Sequence, residues 1–326
     1  MKKNTSKRII EYIYLKKRVT AKDLVDHFEI SRQAIFKHHL SKLLKSGTIY
    51  KIGKPPRVFY SSVEKKADKK EYQISSAIKN LIEKRFIEIT PTGEIEEGWN
   101  AFMNWCAKRE LDVLKSAKDY TNIIKKYDTI RKNGLLDGMM KMRNTFPKVY
   151  LDYLFYLDFY SIERFGKTKL GKTLLYAKQS QNKMMIRTLA KEIKPSIKNL
   201  IKKYKISAVG FIPPTVKREV QLMKELENSL DLKISKINIT KIKTPITVPQ
   251  KTLSKLEDRI ENAKATFVVR EKASYKNVIL IDDAVGSGAT LNEVAAQIKE
   301  RGVAKGKIIG LVITGSIKGF DVISEV

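Results

Sequence analysis

The chain has 326 residues, an apolar fraction of 42% and a formal net charge of +30. This length predicts two or three domains, and no apolar run reaches the roughly 18 residues that a membrane-spanning helix needs. The single cysteine, Cys106, excludes an internal disulfide, and no apolar stretch typical of a secretory signal follows the basic start of the chain. We therefore expect a cytoplasmic protein with no membrane partner.

The positive charge is densest near the start of the chain. Residues 1–70 contain 19 basic and 6 acidic side chains. A positive excess favours polyanionic partners such as DNA, although a lysine surplus spread over a whole chain also arises without any function. The concentration of positive charge near the start of the chain is therefore better evidence for a polyanionic partner than the total charge.

The first part of the chain predicts three helices. Apolar residues repeat at helical spacing over residues 5–17. Thr20 is positioned to cap a second helix, and Ser31 to cap a third helix that extends from Arg32 to Lys45. Gly47 follows the third helix, at a position that favours a residue with positive φ.

Two β-rich runs come next, at residues 49–52 and 58–60, and they flank a turn of glycine, proline and basic residues. Three helices and this hairpin, in the stretch VTAKDLVDHFEISRQAIFKHHLSKLLKSGTIYKIGKPPRVFY, resemble the winged helix-turn-helix superfamily over about residues 6–62. The segment from Ser31 to Leu40 is one residue longer than the pattern of that superfamily leads us to expect. We therefore assign residues 1–62 to a winged helix-turn-helix domain.

This resemblance implies that the third helix enters the major groove of DNA. Arg32, Gln33 and Lys37 would then reach base edges, because arginine can pair with guanine and glutamine with adenine. Lys54 and Arg57, at the tip of the hairpin, would bind phosphate oxygens. Winged helices also serve as protein-binding modules, but the basic character of these positions favours DNA. Many winged-helix regulators are dimers, so a homodimer is expected.

Residues 63–148 predict a mostly helical connector. A helix is predicted at residues 73–84 and a hairpin over residues 86–96. A long helical stretch then extends from Trp99 to about Thr145, with an interruption at Asn133-Gly134. We find no metal, nucleophile or phosphate signature in this segment, so we expect it to orient or dimerise the DNA-binding part.

Residues 149–326 predict an α/β domain with a parallel sheet, since strands and helices alternate there. Its apolar β-type runs are residues 206–212, 232–240, 277–281 and 308–313. The stretch at residues 166–172, with lysines among glycines, favours a solvated loop over a cover for a ligand pocket. Ligands of parallel sheets bind at the carboxyl ends of the strands. We therefore expect a ligand site of this domain at that edge of its sheet.

One of these strands ends in an unusual pattern. Val278 to Ile281 are β formers typical of a strand buried on both faces, and they lead directly into the carboxylates Asp282 and Asp283. Gly286 and Gly288 then allow a tight turn, whose N–H groups form an anion site with the start of the next helix. A phosphate bound there would bring the hydroxyls of its sugar to the two carboxylates.

The run Asp282-Asp283-Ala284-Val285-Gly286-Ser287-Gly288-Ala289-Thr290 resembles the phosphoribosyl pyrophosphate signature of type I phosphoribosyltransferases. The resemblance implies that Asp282 and Asp283 contact the ribose hydroxyls, directly or through Mg²⁺ and water. It also implies that Gly286 to Thr290 hold the 5-phosphate. Ala284 and Gly286 are smaller than the residues usual at these positions.

A narrower resemblance, to the ComF-type competence phosphoribosyltransferases, covers about residues 150–316. The stretch PQKTLSKLEDRIENAKATF is similar to a pattern of that family, here Gln250, Leu253, Arg259, Asn262 and Phe267. Lys217 and Arg218 follow two prolines where that family has its loop on the pyrophosphate side. One extra residue lies between Leu253 and Arg259, and the family's Arg-Gly-x-Asn-Gln run and N-terminal cysteine cluster are absent from this sequence.

Three functions fit the sequence. The fusion is similar in plan to the purine-operon repressors of Gram-positive bacteria, which implies a transcriptional regulator that binds phosphoribosyl pyrophosphate or a related ribose 5-phosphate ligand. An active phosphoribosyltransferase of nucleotide salvage fits the acid pair, and Lys217, Arg218, Lys241 or Lys243 would then stabilise the departing pyrophosphate. However, no nucleobase-binding hood follows the last strand. A ComF-like role in DNA uptake ranks third, after the regulator and the enzyme.

Overall fold

The computed structural model describes residues 5–16, 18–52, 58–62, 72–90, 94–214, 216, 218–242, 253 and 255–316. Contacts between residues divide the chain into two compact units, Met1–Tyr72 and Gln73–Val326. Residues 73–148, which form most of the connector predicted at residues 63–148, belong to the same unit as residues 149–326. The division into three segments stays a prediction.

The first unit contains three helical segments and a small sheet. Its helices are α1 (Thr5–Lys16), α2 (Ala21–Phe28) and a third segment composed of α3 (Arg32–Ala34), a π-helical turn (Ile35–Leu40) and α4 (Ser41–Lys45). Its strands pair antiparallel in the order β1 (Val19–Thr20), β3 (Phe59–Ser62), β2 (Ile49–Ile52). The helices and the β2–β3 hairpin occur in the order that the sequence predicts.

Side-chain caps fix the starts of the second and third helices. The Thr20 hydroxyl accepts a hydrogen bond from the Asp23 N–H at 3.2 Å, and the Asp23 carboxylate accepts one from the Thr20 N–H at 2.7 Å. This reciprocal pair is a capping box. The Ser31 hydroxyl accepts from the Ala34 N–H at 3.3 Å, and Gly47 has a φ of +67°. These four features confirm the predicted helix boundaries.

A π-helical turn lies within the segment from Ser31 to Leu40, which the sequence analysis found one residue longer than the resembled pattern. A π turn takes up one more residue than an α turn, because its hydrogen bonds join residues five apart. The Ser41 N–H bonds to the Phe36 carbonyl, and the Ser41 hydroxyl donates to the same oxygen at 2.7 Å. Ile35 and Leu40 both remain fully buried, so the apolar face of the helix is preserved.

The second unit is built on a seven-stranded sheet in a mixed α/β arrangement. The strand order is β12 (Ser235–Lys236), β11 (Ala208–Phe211), β15 (Val278–Val285), β16 (Ile308–Gly315), β8 (Tyr153–Phe159), β7 (Leu135–Asp137), β6 (Arg131–Lys132). The pairs from β12 to β8 are parallel, and β7 and β6 are added antiparallel. The predicted parallel α/β architecture is therefore correct in its coarse form.

Helices and short strand pairs complete the second unit. The helices are α5 (Ser76–Arg85), α6 (Gly98–Ala107), α7 (Val113–Thr129), α8 (Met139–Thr145), α9 (Lys169–Ser180), α10 (Lys183–Tyr204), α11 (Leu222–Leu230), α12 (Leu256–Thr266) and α13 (Ala289–Glu300). The antiparallel pairs are β4 (Ile87–Ile89) with β5 (Ile95–Glu97), β9 (Ser161–Ile162) with β10 (Gly166–Lys167), and β13 (Ile239–Lys241) with β14 (Phe267–Val269). Among the described residues, no helix combines the length and the apolar character that crossing a bilayer requires.

The helical stretch predicted from Trp99 to about Thr145 is confirmed in α6, α7 and α8, but its interruption at Asn133-Gly134 is a pair of strands. Between α7 and α8 the chain forms the β6–β7 hairpin, and β7 pairs with β8. The turn consists of Asn133 and Gly134, with φ values of +54° and +79°. Two consecutive residues with positive φ form the tight turn that best matches the twist of a hairpin. Asn133-Gly134 is thus a strand-connecting turn rather than a break within a helix.

The prediction of a solvated loop at residues 166–172 is wrong, because helix α9 starts within it. The Thr168 hydroxyl caps α9 by accepting from the Gly171 N–H at 3.0 Å, and it donates to the Phe159 carbonyl at 2.6 Å. A Cβ at Gly171 would lie 2.2 Å from the Tyr160 carbonyl oxygen. Glycine is therefore required here for the close approach of α9 to the end of β8.

Strand β15 lies between β11 and β16 in the sheet and is buried on both faces, as predicted. Val278, Ile279, Leu280 and Ile281 have no exposed surface. Alternate residues of β15 and β16 pack against α9, α10 and α11 in one apolar cluster, which includes Ile279, Ile281, Ile309, Leu311 and Ile313. The strand continues through Val285, four residues beyond the predicted end. It thus carries the acid pair on its rigid carboxyl end.

Candidate functional site

The candidate site lies at the carboxyl ends of two adjacent parallel strands, β11 and β15. Phe211 pairs with Ile281, and the Ile212 N–H donates to the Ile281 carbonyl at 2.9 Å. The residues after β11 therefore start beside Asp282 and Asp283. Because these two acids are consecutive strand residues, their side chains leave opposite faces of the sheet.

Asp283 forms an ion pair with a lysine from helix α9. The Lys178 ammonium lies 2.6 Å from Oδ2 of Asp283, and the two side chains are 19% and 14% exposed. Sequence reasoning missed Lys178, because it is 105 positions away in the chain and no local motif marks it. The buried position of this pair makes Lys178 part of the site.

Helix α9 also holds the segment that follows β11. The Arg218 guanidinium donates to the Lys178 carbonyl. The Gln181 side-chain oxygen, just after α9, accepts from the Val220 N–H at 2.9 Å. The end of α9 thus contacts both Asp283 and the chain that follows β11, and Arg218 lies at the second of these contacts. Lys217 lies outside the described residues.

Asp282 is half-buried at the end of β15. Burial raises the pKa of Asp282 to about 8, and the charge of Asp283 acts in the same direction. A hydrogen bond from the Asp283 N–H at 2.8 Å and the charge of Lys178 oppose this rise. Burial therefore favours the neutral form of Asp282 in the ligand-free chain, and a bound cation would favour the charged form instead.

The turn between β15 and α13 has the local geometry of an anion site. Gly288 has a φ of +89° and occupies the position before the first residue of α13, without a side-chain cap. The N-terminal N–H groups of a helix have no partners within the helix, and the helix dipole favours a negative charge there. The buried Ser287 hydroxyl accepts from the Ala289 N–H at 3.3 Å. Thr290 lies in the first turn of α13 and is half-buried.

The two glycines of this turn have different reasons to be glycine. Gly288 has a positive φ, and a Cβ there would lie 2.4 Å from the Met142 sulfur of helix α8. Gly286 has no positive φ, so the expectation that both glycines supply backbone freedom holds only for Gly288. A Cβ at Gly286 would lie 3.4 Å from Nη1 of Arg259. The absent side chain at Gly286 therefore leaves room beside a guanidinium group.

Arg259 is a buried cation next to the turn. Its side chain belongs to α12, the residue is 4% exposed, and its Nε donates to the Leu253 carbonyl at 2.8 Å. Sequence reasoning placed Arg259 in a family pattern but assigned it no role. Its position next to Gly286 adds positive charge to the neighbourhood of the anion site.

The remaining predicted residues are distributed over both units. Arg32, Gln33 and Lys37 are exposed on the third helical segment of the first unit. Lys54, Arg57, Lys243 and Gln250 lie outside the described residues, and Lys241 is half-buried in β13. Within the described ranges, no group of three or more His, Cys, Asp or Glu side chains is arranged to hold a metal ion.

Comparison with solved structures gives distant similarities, among them one to a phosphoribosyltransferase. No protein family model matches the chain, and no curated protein sequence matches it. The crystal structure of a hypoxanthine phosphoribosyltransferase from Staphylococcus aureus is similar with a TM-score of 0.22 and 16% identity, over 41% of this chain and 75% of that chain. A TM-score of that size carries no argument about fold or function, so the interpretation rests on the geometry described above.

Proposed function

We propose that the second unit binds phosphoribosyl pyrophosphate, or a related ribose 5-phosphate ligand, at the carboxyl end of β15. The observation that carries this proposal is the position of two adjacent carboxylates at the end of a buried parallel strand. A positive-φ glycine and the start of helix α13 follow them within a few residues. This combination offers N–H donors for a phosphate and, at the carboxyl edge of the sheet, one carboxylate from each face as an acceptor for the hydroxyls of a sugar.

In the proposed complex the 5-phosphate accepts hydrogen bonds from the turn that contains Ser287 and Gly288. The ribose hydroxyls donate to Asp282 and Asp283. Carboxylate oxygens suit Mg²⁺, which usually keeps several waters and binds through one or two carboxylates together with substrate phosphates. The acid pair fits such shared binding, in which Mg²⁺ would supply positive charge to the pyrophosphate.

We further infer that the first unit binds DNA and that the whole chain is a ligand-responsive transcriptional regulator. Three observations support DNA binding: the three helical segments with their hairpin, the exposure of Arg32, Gln33 and Lys37 on the third segment, and the basic composition of residues 1–70. A ligand changes DNA affinity only through different affinities for two states of the protein. The fusion of the two units is the reason to expect such coupling.

Binding of DNA fragments by the purified full-length chain tests this proposal. The measurement compares selected and random fragments, with and without phosphoribosyl pyrophosphate and Mg²⁺. It must use physiological salt, because a protein of charge +30 binds any DNA at low ionic strength. Sequence-selective binding that changes with the ligand, and no longer changes in Asp283→Asn, supports a regulator. Non-selective DNA binding that does not change when the ligand is added contradicts a role as a ligand-responsive regulator.

The acid pair, with Lys178 at Asp283 and Arg218 at the Lys178 carbonyl, would also serve an active phosphoribosyltransferase. In that reaction a nitrogen nucleophile displaces pyrophosphate from the anomeric carbon, and nearby cations stabilise the departing charge. Turnover of a nucleobase by the full chain, lost in Asp283→Asn, would favour this second function. Non-selective DNA binding without turnover would instead favour the ComF-like role in DNA uptake.

A further inference from the structure

Lys178 forms an ion pair with Asp283, one of the two carboxylates that the proposed ligand requires. Its ammonium is 2.6 Å from Oδ2 of Asp283, in a pair of which less than a fifth of either side chain is exposed. Breaking a buried ion pair by removing only one partner is costly. A sugar that binds Asp283 therefore needs to give Lys178 another negative partner, or it leaves the ammonium unpaired.

The surroundings of Lys178 indicate where that partner would be. The Lys178 carbonyl accepts from Arg218, and Gln181 accepts from the Val220 N–H. The ammonium thus lies at the end of β15, and the backbone of the same residue contacts the segment after β11. In the proposed complex the 5-phosphate lies at the start of α13 and the ring hydroxyls lie at the acid pair. The anomeric carbon is at the opposite end of the ribose from the 5-phosphate, so its substituent extends toward this segment.

We propose that Lys178 binds the diphosphate on the anomeric carbon of the ligand. On binding, its ammonium moves from Asp283 to the diphosphate oxygens, and Asp283 accepts a hydrogen bond from a ribose hydroxyl in its place. The long, flexible stem of lysine allows this exchange without movement of α9. The inference rests on the proposed sugar phosphate site and adds how that site distinguishes a diphosphorylated sugar from ribose 5-phosphate.

The exchange predicts a selectivity that depends on one side chain. With phosphoribosyl pyrophosphate, Lys178 gains a charge-assisted partner to replace the one that it loses. With ribose 5-phosphate, which has no anomeric diphosphate, Lys178 only loses its partner. Removal of the ammonium should therefore weaken the first ligand and leave the second unchanged or slightly stronger. Hydrogen bonds to charged groups change affinity by a factor of about 10 to 100.

Calorimetric titration of the full-length chain with each ligand, in the presence of Mg²⁺, tests the inference. We expect Lys178→Met to lower the affinity for phosphoribosyl pyrophosphate by about 10-fold to 100-fold and to leave the affinity for ribose 5-phosphate unchanged or higher. Lys178→Arg should retain most of the preference for the diphosphorylated sugar. Lys172→Met is the matched control, because Lys172 lies on the same helix and forms a comparably buried ion pair with Glu88. This control should leave the ratio of the two affinities unchanged.

The ratio of affinities distinguishes ligand recognition from a structural role of Lys178. Loss of folded protein lowers the measured binding of both ligands together and leaves their ratio intact. An unchanged ratio in Lys178→Met would overturn the inference, whether both affinities fall or neither does. If the wild-type chain binds neither ligand, the proposed sugar phosphate site fails first, and that outcome is recognised before any variant is made.

Discussion

The turn between β15 and α13 offers a matched pair of glycine substitutions with different expected costs. In Gly288→Ala the new residue would keep a φ of +89°, and its Cβ would lie 2.4 Å from the sulfur of Met142, which is fully buried. The left-handed conformation costs a non-glycine residue about 1–2 kcal/mol, and overpacking of a filled core costs about 1–3 kcal/mol. We therefore expect Gly288→Ala to lower the free energy of unfolding by about 2–5 kcal/mol.

Gly286→Ala is the control within the same turn. Its φ is not positive, and its Cβ would meet Nη1 of Arg259 at 3.4 Å, close to an ordinary contact. We expect a change of less than about 1 kcal/mol in the free energy of unfolding. Urea unfolding of the full-length chain, followed by tryptophan fluorescence and circular dichroism, measures both variants. Equal losses in the two variants, or a larger loss in Gly286→Ala, would refute the assigned roles of the glycines.

Three further predictions concern charges and caps. Burial raises the pKa of Asp282 to about 8, so between pH 4 and pH 8 the folded chain binds a proton that the unfolded chain has released. The free energy of unfolding of the wild type should therefore fall from pH 4 to pH 8. A pH series should show a smaller fall in Asp282→Asn, and an equal fall would contradict the assigned pKa. Arg131→Met should lower the free energy of unfolding in urea by about 3–5 kcal/mol, since it leaves Asp158 buried without its ion pair. Lys126→Met, at an exposed ion pair, should lower it by less than about 1 kcal/mol. Similar losses in the two variants would show that burial does not decide the effect. Thr20→Ala should lower the stability of the first unit by about 1 kcal/mol, because the capping box is lost. Amide hydrogen exchange in α2 measures this loss, and unchanged exchange rates would contradict a capping role for Thr20.

Local signals in the sequence predicted much of the fold. Thr20, Ser31 and Gly47 mark helix ends through short-range hydrogen bonds and positive φ. The apolar run at Val278–Ile281 identified the buried strand β15. Local sequence signals gave a wrong prediction where the same residues are typical of two different structures. Asn133-Gly134 interrupts a helix or connects a hairpin, and only the pairing of β7 with β8 decides between them.

The candidate site required contacts that are distant in the chain. Asp282, Asp283 and the glycine turn are contiguous, so their pattern was visible in the sequence. Lys178 and Met142 reach them from α9 and α8, and no spacing rule connects those helices to the turn. The extra residue before Leu40 was also visible, but its accommodation in a π turn depends on the packing of Ile35 and Leu40 in the core.

The most direct test of the central claim is the binding of phosphoribosyl pyrophosphate to the full-length chain. Titration calorimetry at physiological salt with Mg²⁺ should give one site per chain for the wild type. Asp283→Asn should weaken binding at least about tenfold, because it removes a charged acceptor of a ribose hydroxyl. Asp231→Asn, at an exposed pair with Lys233, should have no effect. Binding that is absent in the wild type, or equal in wild type and Asp283→Asn, would contradict a sugar phosphate site at the end of β15.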